Sequence, residues 1–195
     1  MRAENLILIN ISGYIPLNEQ EKALFLSMLK PFSLKKKQTL LKEGEVCRYS
    51  YFVVSGCLRG FSVDSNGFEH VLSFAPPNWW IADMYSLITQ KPGVLNIQAL
   101  EDTAILALSK THQEELYSKI PVFERFFRII TENSLVAYQQ RLLDNLSLTA
   151  EERYSNFCKR YPTLIHSLPA KEIAAYIGVT PEFLSRMKRT MLHKR

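Results

Sequence analysis

The stretch LPAKEIAAYIGVTPEFLSRMKRTM, residues 168–191, holds two short helical patterns separated at Gly178. Ile173, Ala174 and Ile177 put an apolar stripe on the first pattern, and Gly178 ends it, because a left-handed residue there carries no Cβ penalty. Val179 fills the turn. Thr180 has the side chain of an N-cap, and Pro181 suits the first helical position, where a missing N–H is no loss. Glu182 then sits near the positive end of the helix dipole. In the second helix Leu184, Met187 and Met191 share one face, at spacings i, i+3 and i+7, while Glu182, Ser185, Arg186 and Arg189 share another. The second face has the chemistry of a major-groove reader. Arg forms paired bonds to guanine, Glu accepts from cytosine, and Ser bonds base or phosphate. Two helices joined by a short Gly-containing turn make a helix-turn-helix, whose second helix enters the groove. A plain helical hairpin shares the apolar spacing but needs no such face. The stretch therefore predicts a DNA reader, with Thr180, Glu182, Ser185, Arg186, Lys188 and Arg189 as the DNA-binding residues.

The charge distribution agrees. The 195 residues carry 24 Lys and Arg against 19 Asp and Glu. From Leu168 onward there are six basic side chains (Lys171, Arg186, Lys188, Arg189, Lys194 and Arg195) and two acids, which leaves a nearly neutral body. A basic end on a neutral body suggests that only the end meets a polyanion. Lys35, Lys36 and Lys37 read as a solvated loop. An apolar content of 47% is enough to build real cores. No apolar run approaches the ~20 residues of a membrane span. NLILINISGYIP (5–16) is too short for a signal peptide, has no cleavage pattern and meets Pro16 at once. Cys47, Cys57 and Cys158 are odd in number and widely spaced, which predicts reduced thiols in a cytoplasmic protein.

Between about Thr39 and Leu108 the pattern is one of short strands and turns. YSYFVVSG is aromatic and β-branched and ends at Gly56. CLRGFSV and FEHVLSF flank Asp64–Gly67, where Asn66-Gly67 predicts a two-residue hairpin turn with positive φ at both positions. NIQAL and TAILAL follow as further strands. Many short antiparallel strands imply a roll or sandwich. From Val122 to Tyr161 no Gly or Pro interrupts the chain. Phe123, Phe126, Phe127, Ile129 and Ile130 surround the first turns of a long helix. Leu135, Tyr138, Leu142 and Leu146 then recur at helical spacing. A helix apolar on more than one face needs burial on more than one side, and a second copy of the chain can supply one of them. The fold class is α+β: an antiparallel β-roll sensor domain over 1–118, a dimerisation helix over 119–147 and a helix-turn-helix domain over 148–195.

Three blocks resemble the cyclic-AMP receptor protein and fumarate–nitrate regulator (Crp–Fnr) family of bacterial transcription factors. LKEGEVCRYSYFVVSGCLRGF (41–61) resembles its β-roll pattern of Gly, hydrophobic strand and Gly-x-x-Arg. FAPPNWWIADMYSLITQKPGVLNIQALEDTAIL (74–106) resembles the region of its effector pocket. EIAAYIGVTPEFLSRMKR (172–189) resembles its helix-turn-helix and is the most specific of the three. The resemblance implies a cyclic-nucleotide-binding-like jelly roll, a homodimer and a winged-helix-like reader on double-stranded DNA, acting with RNA polymerase. It also implies base contacts from Glu182 and Arg186. A further family Arg just before the Glu is Pro181 here, so some specificity must differ.

The effector region departs further. Cyclic-AMP-binding members have Gly-Glu, the Glu holding the ribose, and an Arg-Ser pair about ten residues on that captures the phosphate. Here Ala82-Asp83 and Gly93-Val94 stand in their places. A partly buried phosphate needs a cation or several N–H donors. Gly93 supplies no charge, and Asp83 would repel the anion unless it found another partner. The expectation is therefore a pocket marked by Trp79, Trp80, Ala82, Asp83, Gly93 and Val94, no cofactor, and no gating by cyclic AMP. The two Trp could stack on a flat effector or simply pack. An iron–sulfur version needs clustered N-terminal cysteines, which are lacking. His70, His112 and Cys47 are haem ligands on paper only. A metal-dependent β-roll enzyme wants several His and a carboxylate together, and His70, His112, His166 and His193 include no His-x-His pair. A roll that binds an effector but has lost DNA binding is the other alternative, opposed by the Glu182/Arg186 face.

Overall fold

A computed structural model describes residues 3–193, so Lys194 and Arg195 lie outside the described residues. The chain forms two compact units. One comprises the residues up to Ser62 together with Ser73–Glu132, and the other comprises Val63–Leu72 with the chain from Asn133 onward.

The first unit opens with α1 (Ala3–Ser12) and α2 (Glu19–Ser27). Ile7 and Ile11 of α1 are fully buried while Ile9 is exposed, so one face of the NLILINIS run is core. The start of α2 is fixed by a capping box: Asn18 accepts from the Glu21 N–H, and the Glu21 carboxylate accepts from the Asn18 N–H. Strands β1 (Leu29–Leu34), β2 (Thr39–Leu41), β3 (Tyr49–Ser55), β4 (Leu58–Val63), β5 (Glu69–Ala75) and β6 (Trp80–Ile81) lead to the short helix α3 (Met84–Thr89). Strands β7 (Asn96–Ala99) and β8 (Thr103–Ser109) and helix α4 (Lys110–Lys119) follow. Two four-stranded sheets result, in the orders β1-β8-β3-β6 and β2-β7-β4-β5. β1 begins ten residues before the expected β region. It contains Pro31, which cannot donate to a ladder, and it is accommodated at a sheet edge, paired only to β8.

Two cores fill this unit. One lies between the sheets, around Val53, Leu58, Ile97 and Ile105. The other joins α1, α2 and α4 to the first turns of α5 (Val122–Ser147) through Phe25, Leu116, Phe123, Phe126 and Phe127. Trp80 belongs to this second core. Its ring meets Phe52 at 5.3 Å and Phe127 at 5.8 Å, and its Nε1–H donates to Asn10. Trp80 is thus half-buried in aromatic packing made of tilted and edge contacts, with its N–H satisfied.

In the second unit the β4–β5 turn differs from the expected hairpin. Gly67 takes φ 81°, but Asn66 is not among the positive-φ residues. The Asp64 carboxylate accepts from the N–H groups of Asn66 and Phe68 and the Asp64 carbonyl from that of Gly67, so a longer turn closes with only the glycine left-handed. Beyond α5 come α6 (Ala150–Arg160), α7 (Ala170–Ile177) and α8 (Pro181–His193). Among the described residues no strand follows Ser109, so the wing strands implied by the resemblance are not found there.

Candidate nucleic-acid interface and effector cassette

Helix α7 ends as the sequence dictates. Gly178 is left-handed (φ 72°, ψ 44°), and the Gly178 and Val179 N–H groups both return to the Ala174 carbonyl. Thr180 caps α8, its Oγ1 accepting from the Phe183 N–H at 3.2 Å. Leu184 and Met187 of α8 are buried, as are Ile173, Ala174 and Ile177 of the α7 helix it contacts, which fixes the roll of α8 about its axis. The opposite face carries Glu182, Ser185, Arg186 and Arg189, all exposed. Among the described residues none of these four side chains has a hydrogen-bond or ion-pair partner. Phe183 is also exposed, at 42%. Lys188 is placed differently: it is half-buried, with its ammonium 5.6 Å from the Tyr154 ring of α6. It faces the body of the helical unit rather than lying with the reading face.

Two arginines that sequence reasoning missed hold the end of α7. Arg141 of α5 donates from Nη2 to the Tyr176 carbonyl at 2.9 Å, and Arg153 of α6 donates from Nε to that of Ile177 at 2.8 Å. These carbonyls are the ones a helix C-terminus leaves without intrahelical partners. Arg141 also donates to the Val71 and Leu72 carbonyls of β5, and its guanidinium lies 4.1 Å from the centre of the Tyr176 ring. Burial pulls the Arg141 pKa below its ordinary value and pushes the Tyr176 hydroxyl up. Phe157, Tyr161 and Tyr176 complete the packing, with ring centroids 5.3–5.6 Å apart. An arginine among the polar and charged residues of a helix (Gln140 before Arg141, Glu152 before Arg153) looks like surface charge in a sequence, so no signal marked either residue. The junction before α6 is equally tied. Thr149 and Glu152 form a capping box, Arg153 donates to the Leu148 carbonyl, and Asn156 donates to Asp144.

The cassette from Ala82 to Val94 belongs to the first unit. Asp83 is the N-cap of α3 and is 1% exposed. Its Oδ1 accepts from the Ser86 N–H at 3.0 Å, and its Oδ2 accepts from the N–H groups of Val94 and Leu95 at 3.1 and 3.2 Å. The partner that the sequence required for this carboxylate is thus the main chain. Gly93 is buried beside it, while Ala82 is half-buried and Trp79 and Val94 are exposed. Cys47 is fully buried nearby. Burial above all raises its thiol pKa, outweighing the lowering effect of its main-chain hydrogen bonds. Cys57 is buried as well. His70 is engaged with Asp64, and His112 with the Met28 carbonyl. Among the described residues no three His, Cys, Asp or Glu side chains come together as a metal site. No described helix is long and apolar enough to cross a membrane.

Comparison with known proteins matches the cyclic nucleotide-binding domain family over residues 31–119. The anaerobic regulatory protein of Haemophilus influenzae is 26% identical over 165 residues, covering 79% of this chain and 63% of that protein. The transcriptional activator FnrA of Stutzerimonas stutzeri is 28% identical over 165 residues, covering 79% of this chain and 67% of that one. The matched region thus spans about two thirds of the length of these relatives. Among solved structures, FixK2 from Bradyrhizobium japonicum superposes with a TM-score of 0.75 at 22% identity, covering 85% of each chain. This last likeness is one of fold. The chain thus matches a cyclic nucleotide-binding domain over its roll, shares the fold of FixK2, and is similar in sequence to an anaerobic regulatory protein and a transcriptional activator.

Proposed function

We propose that the chain is a sequence-specific DNA-binding transcription regulator, a cytoplasmic homodimer that acts with RNA polymerase at a palindromic site. The observation that carries this reading is the α8 surface, where Glu182, Ser185, Arg186 and Arg189 stand exposed and, among the described residues, unpartnered, opposite a buried Leu184/Met187 seam. Exposed polar groups on a rigid, capped helix are what direct base readout requires. Arg186 is assigned to a guanine and Glu182 to a cytosine. Ser185 and Arg189 complete the face, and Thr180 holds the helix N-terminus. Self-association is supported by the second half of α5, where Leu135, Val136, Leu142, Leu143 and Leu146 are 50–75% exposed. Such a stripe on one long helix fits a coiled-coil partner of the same sequence. A two-fold dimer then presents two α8 helices to half-sites roughly 34 Å apart.

The test is selection of bound duplexes from a random pool with purified protein and no added ligand. The expected result is an enriched palindrome whose half-sites lie one helical turn apart. An unenriched pool overturns the reading.

A further inference from the structure

We infer that Asp83 is a built-in anion whose carboxylate fills the main-chain N–H nest of the α3–β7 turn, closes the roll to phosphate-bearing effectors and leaves DNA binding independent of cyclic nucleotides. The last clause rests on the DNA-binding reading above; the rest stands on the cassette alone.

Three N–H groups converge on one carboxylate that is 1% exposed. Two of them, from Val94 and Leu95, come from a turn more than ten residues away in sequence, so this is more than a local cap. A buried anion needs that number of donors, and donors already spent on it cannot serve a second anion. An entering phosphate would also meet the negative charge of Asp83 itself, which main-chain dipoles rather than a neighbouring side-chain cation hold in place.

Gly93 belongs to the same device. A Cβ on Gly93 would lie 2.3 Å from Asp83 Oδ2 and 3.1 Å from Ser86 Cβ, so no side chain can stand at 93 while the carboxylate is in place. The backbone cannot retreat easily. The Gly93 N–H donates to the Glu45 carbonyl, and the Gly93 carbonyl accepts from the Gly44 N–H, each at 2.9 Å. Ser86 locks the other side, donating from Oγ to the Lys91 carbonyl and accepting from the Cys47 N–H. Asp83 and Gly93 therefore depend on each other: the acid occupies the room and the donors that a basic residue and its phosphate would need.

The experiment is a double-mutant cycle read by thermal melting, together with melting and duplex binding of the unmodified chain with and without cyclic AMP and inorganic phosphate. Gly93→Ala should lower the melting temperature in the native background and cost much less in an Asp83→Ala background, where the Cβ inherits the vacated space. The native chain should show the same melting temperature and the same duplex affinity with either anion present. Should Asp83→Ala fail to fold, Asp83→Asn, which turns one acceptor into a donor facing N–H groups, must melt below the native chain. Saturable binding of cyclic AMP by the native chain overturns the inference, as does an equal cost of Gly93→Ala in both backgrounds. A chain that shows the coupled melting and ignores both anions, yet binds no duplex, keeps the closed cassette and overturns the DNA-binding reading instead.

Discussion

Two polar regions of this molecule are built in opposite ways. On α8, Glu182, Ser185, Arg186 and Arg189 have water for neighbours and no partner among the described residues. In the α3–β7 cassette, Asp83 has three N–H partners and almost no water. Both stretches resemble a binding site when met as sequence. Only the first leaves its hydrogen-bonding capacity unspent. Recognition draws on donors and acceptors that folding has not already consumed, so the α8 face keeps its polar groups available while those of the cassette are part of the scaffold.

The largest break in this comparison comes from the seam beneath the reader. Leu184 is fully buried, and Leu184→Ala should cost about 2–5 kcal/mol through reduced burial and an unfilled cavity. Melting should show the C-terminal helices loosening, with duplex binding disappearing along with them. If binding survives a loosened seam, α8 is not the rigid platform assigned to it. Next in size is Arg186→Ala, expected to weaken duplex binding by ~1–3 kcal/mol and to relax preference at one base pair. Equal weakening on every sequence would make Arg186 a phosphate contact. Thr180→Ala removes the hydroxyl that caps α8 and should cost ~1 kcal/mol of stability without changing the preferred site.

How much of this was legible in the sequence follows from the range of the interactions. The α7–α8 pair is specified by periodicity, one glycine, one threonine and one proline within a single short stretch, and every one of those signals is local. The strands around Tyr49–Ser55 and Thr103–Ser109 were legible from composition for the same reason. β1 was not, because Pro31 argues against a strand unless one knows that the strand lies at an edge. The β4–β5 turn departs from the expected hairpin because Asp64, two residues before Asn66, takes over the turn's N–H groups. Trp80 could be placed only once Phe126 and Phe127, far along the chain, were seen against it. Arg141 bonds carbonyls 35 and 70 residues away. Asp83 presents the sharpest case. The sequence showed that a partner was needed, and only the folded loop showed the partner to be main chain.

The smallest effect tests the edge of the reading face. Lys188 stands in a basic run that suggests a DNA contact, yet its ammonium lies over Tyr154 while Arg189 is exposed beside Arg186. A cation over a tyrosine face is worth ~0.5–1 kcal/mol at such a site. Lys188→Ala should therefore lower melting slightly and leave the slope of log affinity against log salt unchanged. Arg189→Ala should flatten that slope by about one, because one phosphate fewer is neutralised and one counterion fewer is released. The pair separates a charge that holds the helix down from a charge that holds the duplex. If instead Lys188→Ala flattens the slope and Arg189→Ala does not, α8 approaches DNA with the flank that carries Lys188, and the base-reading roles of Glu182 and Arg186 fall with the orientation that assigned them.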